Sequence, residues 1–244
     1  MNIIKLNAID STNCYLKEMV SKNKIENYSV VVAEHQKAGR GQMGAEWESE
    51  RGKNLTFSLL VRLKDFEIED QFYLSMAISL GVLSVLKREV NKLFYVKWPN
   101  DILAGNDKIC GILIENILSG NHIKQSIIGI GININQVEFS SDLLKVTSLK
   151  KLADINFDKD ILLQKIINSI QYYLGFVENK SFKSLKKEYL KHLYKFLKPM
   201  MFEDNKGVNF LGKIINVSED GRLVVELENE SIRKFNLKEV RFAN

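Results

Sequence analysis

Three short segments hold the residue types from which a reactive site could be built. The first is Gly39-Arg40-Gly41-Gln42-Met43-Gly44. Glycines let a backbone approach a ligand closely and offer N–H groups to phosphate oxygens. Arg40 adds a planar cation matched to a carboxylate or a phosphate. No Gly-Lys-Ser/Thr closes the run, so it is not a Walker loop, and no helix follows, so it is a poor dinucleotide fingerprint. A surface loop can have the same composition, and the run alone leaves both readings open. The second is Lys97-Trp98-Pro99-Asn100-Asp101, followed by Lys108 and Gly111. Pro99 stops a strand and biases Trp98 towards extended backbone. Lys97, Asn100 and Asp101 then stand at a strand end, and Lys108 returns to them across a hairpin. Two lysines can balance a carboxylate and a phosphate, and an aspartate can hold a lysine or a metal. An ordinary ion-paired strand end would look the same. The third is Ile128-Gly129-Ile130-Gly131-Ile132-Asn133-Ile134. Glycines two apart on an apolar strand leave either a flat slot for a planar ring or room for close strand packing.

These segments need elements to position them. Residues 2–6 read as a short strand. Asp10 or Ser11 can cap a helix with Tyr15, Leu16, Met19 and Val20 on one face. Residues 28–33 read as a buried strand. Residues 34–53 have no period and hold four glycines and Trp47; a structureless stretch of that length inside a compact domain is usually functional. Residues 54–62 alternate as a strand, and 71–90 form a long helix with Leu74, Ile78, Val82 and Val85 on its apolar face. A strand over 93–97 leads to a hairpin turning at Gly105-Asn106-Asp107. Another long strand spans 123–134. Residues 148–152 make a helical turn, and 158–177 and 181–197 make two amphipathic helices. From Pro199 onward short strands recur, broken by Asn205-Lys206-Gly207 and Glu219-Asp220-Gly221, which predicts a small β-barrel or sheet. The division expected is a catalytic unit over 1–197 and a second unit over 198–244.

Composition narrows the class. The chain has 244 residues, enough for one large domain or a large and a small one. No run of about 20 apolar residues spans a bilayer, and the start lacks a signal peptide's pattern, so a cytoplasmic protein without membrane contact is expected. Cys14 and Cys110 show no metal or disulfide spacing and are read as small core residues. No metal-ligating set is predicted. The net charge of +5 suits acidic partners such as nucleotides and equally a solvated face.

Taken together the segments resemble the biotin–protein ligases. The blocks are DSTN at Asp10, EHQKAGRGQMG at Glu34 with Trp47, KWPNDI at Lys97 with Lys108 and Gly111, and GIGININ at Gly129, in that family's order and spacing over essentially the whole chain. The resemblance implies an α+β fold of the class II synthetase type. It has a mixed, largely antiparallel central sheet with flanking helices and a small C-terminal SH3-like β-barrel. It implies biotin and ATP as substrates, Mg²⁺ as cofactor, and transfer of biotin to a lysine of a biotin carboxyl carrier domain in a carboxylase or decarboxylase. By the same resemblance Ser11, Thr12, Asn13, Gln36, Gly39, Arg40, Lys108 and Gly111 would meet biotin. Arg40, Gly41, Gln42, Trp47, Asn100, Lys108 and Asn133 would meet ATP. Arg40, Lys97, Asp101 and Lys108 would carry the chemistry, with Asp101 receiving or orienting the acceptor amine. The chain departs from the family at Gln42, where many members have a second arginine; Arg51, Lys53 or Arg241 are the substitutes considered. Only ten residues precede Ser11 and no basic stripe with interleaved aromatics stands out, so neither DNA binding nor a repressor role is expected. Pairing of two copies through the central sheet stays open. A lipoate–protein ligase is the competing reading within the fold; an interaction module using the C-terminal strands is the competing reading outside it.

Overall fold

The computed structural model describes residues 2–22 and 25–243. Its larger sheet has seven strands: β1 (Ile3–Leu6), β2 (Val30–Ala33), β3 (Leu55–Val61), β4 (Phe94–Lys97), β5 (Asp101–Ala104), β6 (Asp107–Ser119) and β7 (His122–Ile132). They lie in the order β1-β2-β3-β7-β6-β5-β4. Only β1 and β2 run parallel; every other ladder is antiparallel. The period of two in a strand sorts the side chains onto two faces. Leu55, Phe57, Leu59 and Val61 of β3 join Ile128, Ile130 and Ile132 of β7 in the main core. That core is covered by α2 (Gln71–Glu89), α4 (Lys159–Glu178) and α5 (Phe182–Lys191). On the opposite face Val31, Leu60 and Ile127 pack with Leu16 of α1 (Thr12–Lys22). All seven residues of β3 are therefore buried, where the sequence reads as a half-exposed strand. Their alternation separates apolar from polar positions, because Thr56 and Ser58 face α1's side.

The short α3 (Leu149–Ala153) starts at Ser148, whose hydroxyl accepts from Lys151 N, and α4 starts at Asp158, whose carboxylate accepts from two backbone amides. Two corrections concern the C-terminal third. α5 stops at Lys191 rather than 197. Residues just beyond it are drawn onto the edge of β4, where Val96 N donates to His192 O and Tyr194 N to Val96 O. Lys195 and Leu197 then take positive φ, which an α-helix cannot accommodate. The expected small barrel is an open five-stranded antiparallel sheet. It comprises β8 (Pro199–Asp204), β9 (Asn209–Val217), β10 (Leu223–Leu227), β11 (Ile232–Phe235) and β12 (Val240–Phe242), in the order β11-β10-β9-β8-β12. β11 and β12 are its two edges, and no described ladder joins them. The sheet leans on the larger one through Trp98, whose indole N–H donates to Gly221 O at 2.8 Å. Cys110 is buried as expected, but Cys14 is exposed, since α1 turns Thr12, Asn13 and Leu16 inward and leaves position 14 outside. No described helix is long and apolar enough to cross a membrane.

Candidate active site

The floor of the site is the polar face of the central strands. Register places Ser58 opposite Gly129 and Thr56 opposite Gly131. Across the next ladder Leu113 faces Gly129 and Gly111 faces Gly131. Each glycine of β7 is occupied from above by a side chain of this protein. A Cβ on Gly129 would lie 2.5 Å from Asn13 Oδ1, and one on Gly131 would lie 2.3 Å from the Trp47 ring. The flat slot that the glycine spacing suggests is therefore real, and the planar group against Gly131 is Trp47's indole. Gly111 completes its seat, with a Cβ there 3.1 Å from the ring.

α1 brings its first residues over this floor. Thr12 N and Oγ1 both donate to Gln36 Oε1, at 2.8 and 2.9 Å. Ser58 Oγ lies 2.7 Å from Thr12 Oγ1 and contacts Asn13 Oδ1. Asn13 Nδ2 donates to Glu115 at 2.8 Å. The result is a recess whose polar groups are amides and hydroxyls. At its other end stand the charges. Lys108 Nζ pairs with Asp101 at 2.7 Å, a contact made because the β5–β6 hairpin folds Lys108 back onto the strand start. Lys108 also lies 5.8 Å from the Trp47 ring centroid, within cation–π range. Arg40 pairs with Glu115 at 2.9 Å.

One cavity of about 250 Å³ joins these parts. Of the residues expected from sequence, Ser11, Thr12, Asn13, Gln36, Arg40, Gly41, Gln42, Trp47, Asn100, Asp101, Lys108 and Gly111 line it. Three others do not. Gly39 lies behind the wall: its carbonyl accepts from Trp47 N, and a Cβ would sit 2.3 Å from Trp47 O, so it lets the loop fold back on itself. Asn133 is buried and donates to Thr147 O at 3.1 Å while its backbone binds Ile109 and Leu149, so it fastens the 147–149 segment. Lys97 opens onto a neighbouring cavity, which it shares with Glu203, Lys238, Arg241 and Phe242. Its amine lies 5.1 Å from the Phe242 ring, and burial holds its pKa below the usual lysine range, partly offset by Asp101. Of the candidates to replace an arginine at position 42, Arg241 borders that same cavity beside Gln42 and pairs with Glu203; Arg51 and Lys53 border neither cavity.

Sequence reasoning missed Glu115 and the hydroxyls of Thr56 and Ser58. The signal for the last two was available: Asn54, Thr56 and Ser58 put polar groups at every second position of an apolar strand. No group of three or more potential metal ligands occurs among the described residues.

An amide-lined recess and a lysine–aspartate pair meet under a glycine loop carrying one arginine. That is a site for a small acid activated beside a nucleotide, on a mixed sheet. The chain belongs to the biotin/lipoate A/B protein ligase family, whose profile matches residues 6–133. It is 28% identical over 247 residues to the bifunctional ligase/repressor BirA of Bacillus subtilis, covering 96% of this chain and 71% of that protein. It is 32% identical over 179 residues to the BirA of Escherichia coli, covering 72% of this chain and 54% of that one. Its fold is similar to the biotin protein ligase from Aquifex aeolicus in complex with biotin and ATP, with a TM-score of 0.82, 28% identity and 99% of each chain covered.

Proposed function

We propose that this protein is a biotin–protein ligase that makes biotinyl-5′-AMP from biotin and ATP and passes the biotinyl group to a carrier lysine. The observation that carries this is the single cavity joining the Thr12–Asn13–Gln36 recess to the Arg40 and Lys108 cations. Biotin is an uncharged ring system with an acidic tail. Its ureido group needs polar partners in an otherwise apolar pocket, and Gln36, Thr12 and Asn13 supply them. Its carboxylate must attack the α-phosphorus of ATP while pyrophosphate leaves. Both reactants are anionic, and Lys108 and Arg40 offset that repulsion while the floor holds the acid in line. Asp101 and Asn100 are the wall residues that would hold a Mg²⁺ accompanying the triphosphate, and the ion would supply charge neutralisation there. Trp47, Gly41, Gln42 and Asn100 border the nucleotide.

The mixed anhydride has to be kept from water, and the loop over residues 39–47 is placed to cover it. In the second step the carrier's amine attacks the acyl carbon, AMP leaves, and Asp101 receives or orients the amine's proton. Residues 1–197 carry the chemistry. The unit over 198–244 borders it through Arg241 and Phe242. The acceptor is a biotin carboxyl carrier domain of a carboxylase or decarboxylase. Incubation with biotin, ATP and such a domain, read by mass spectrometry, is expected to add one biotinyl group at one lysine. An unmodified carrier beside an accumulating adenylate would remove the transfer step from this reading.

A further inference from the structure

Glu115 lies on the site face of β6, two residues beyond Leu113, and the same oxygen of its carboxylate serves two different parts of the site. Oε2 accepts from Asn13 Nδ2 at 2.8 Å and from Arg40 Nη2 at 2.9 Å. Asn13 is buried and wedged above Gly129, with its Oδ1 against Ser58 Oγ. A carboxylate accepts and does not donate, so it dictates which end of the Asn13 amide faces it. Rotating that amide would set two oxygens against each other. Arg40 is different. Its side chain is 46% exposed and reaches Glu115 from the glycine loop, 75 residues away in sequence. The pair borders a second recess of about 670 Å³, lined by His35, Gly39, Glu48, Leu113 and Glu115 among others. Arg40 lines both this recess and the active cavity.

We propose that Glu115 is a positioning residue that couples acid binding in the Asn13 recess to closure of the glycine loop through Arg40. The inference rests on the function proposed above. One oxygen shared by two donors links their positions, so an acid that fixes Asn13 also fixes the acceptor on which Arg40 closes. By reciprocity the closed loop favours the amide orientation that binds the acid. Glu115 touches neither reacting atom, and its effects pass through these two partners.

Conservative and non-conservative changes separate the two arms. Glu115→Gln keeps a carbonyl oxygen for Asn13 Nδ2 and removes the charge that holds Arg40. It is expected to raise the KM for biotin only by the share that loop closure contributes, about twofold to fivefold, while the bound adenylate escapes to hydroxylamine faster by a similar factor, the range of a partly exposed ion pair. Biotin is expected to slow trypsin cleavage after Arg40 in the wild type and not in this variant. Glu115→Ala removes both arms and should raise the KM for biotin about tenfold as well. In a cycle with Asn13→Ala, the double variant with Glu115→Ala should bind biotin within about twofold of the weaker single variant. Additive losses in that cycle, equal KM values for the Gln and Ala variants, or biotin protection of Arg40 surviving in Glu115→Gln would each overturn the coupling. A wild-type protein that released no pyrophosphate with biotin and ATP would instead overturn the functional reading itself.

Discussion

At the scale of single residues the proposed chemistry turns on the charges of the cavity, Lys108 first among them. It is bound to Asp101 and lies over Trp47, which fixes its amine in the cavity where the proposed function needs a cation. Lys108→Ala is expected to slow adenylate formation by about 10²-fold or more, the usual cost of one preorganised charge at a reacting centre. Pre-steady-state pyrophosphate release measures it. Asp101→Asn should slow transfer from purified adenylate to the carrier; an unchanged transfer rate would assign Asp101 only to holding Lys108. Gly131→Ala drives a methyl into the Trp47 ring. It should displace the indole, change tryptophan emission and weaken ATP binding while the fold survives. Arg40 and Lys108 were picked out by the glycine run and the hairpin, and Gln36 only by the family resemblance; the structure brings all three to one cavity. Glu115 was not picked out. On a strand it reads as an outward polar residue, and only the approach of α1 and the loop shows that it faces the site. Asn133 and Lys97 lie outside the cavity, since motif membership does not say which way a side chain points: Asn133 ties down a loop and Lys97 faces the smaller sheet.

At the scale of elements, period-two patterning and turn chemistry placed most strands, and both the hairpin at Gly105 and the caps at Ser148 and Asp158 follow from residue type. The errors lie where tertiary pairing overrode local pattern. α5 keeps its amphipathic spacing past Lys191, yet the chain leaves the helix because β4 offers it hydrogen bonds. The terminal strands have barrel-like spacing, yet their edges stay apart. Trp98 is one of the contacts that attach them to the larger sheet. Trp98→Phe removes the donor to Gly221 O and leaves that carbonyl unpaired. A loss of about 1 kcal/mol is expected, seen as a lower denaturant midpoint at unchanged slope. The glycine loop gives a gain-of-contact counterpart. Gln42→Arg restores a cation beside Asn100 and Asp101 and should slow adenylate escape; equal or faster escape would show that Gln42 already holds it fully.

The whole molecule places the candidate site on one face of the sheet and its main helical core on the other, so the proposed activity and the stability should vary separately. His192 shows this on the helical side. Burial, with Lys87 nearby, holds its pKa below the usual histidine value, while its pairing with Glu188 opposes the shift. Below pH about 6.5 the unfolded chain takes up this proton before the folded one does, so stability falls as pH drops from there towards the folded value. His192→Gln should flatten the thermal midpoint against pH between about 7 and 5, leaving biotin binding unchanged. On the opposite face the direct measurement is pyrophosphate release from ATP with biotin or with lipoate as the acid. A biotin ligase is expected to release pyrophosphate with biotin and little with lipoate. Release with lipoate in preference to biotin, or with neither acid, would contradict the proposed function.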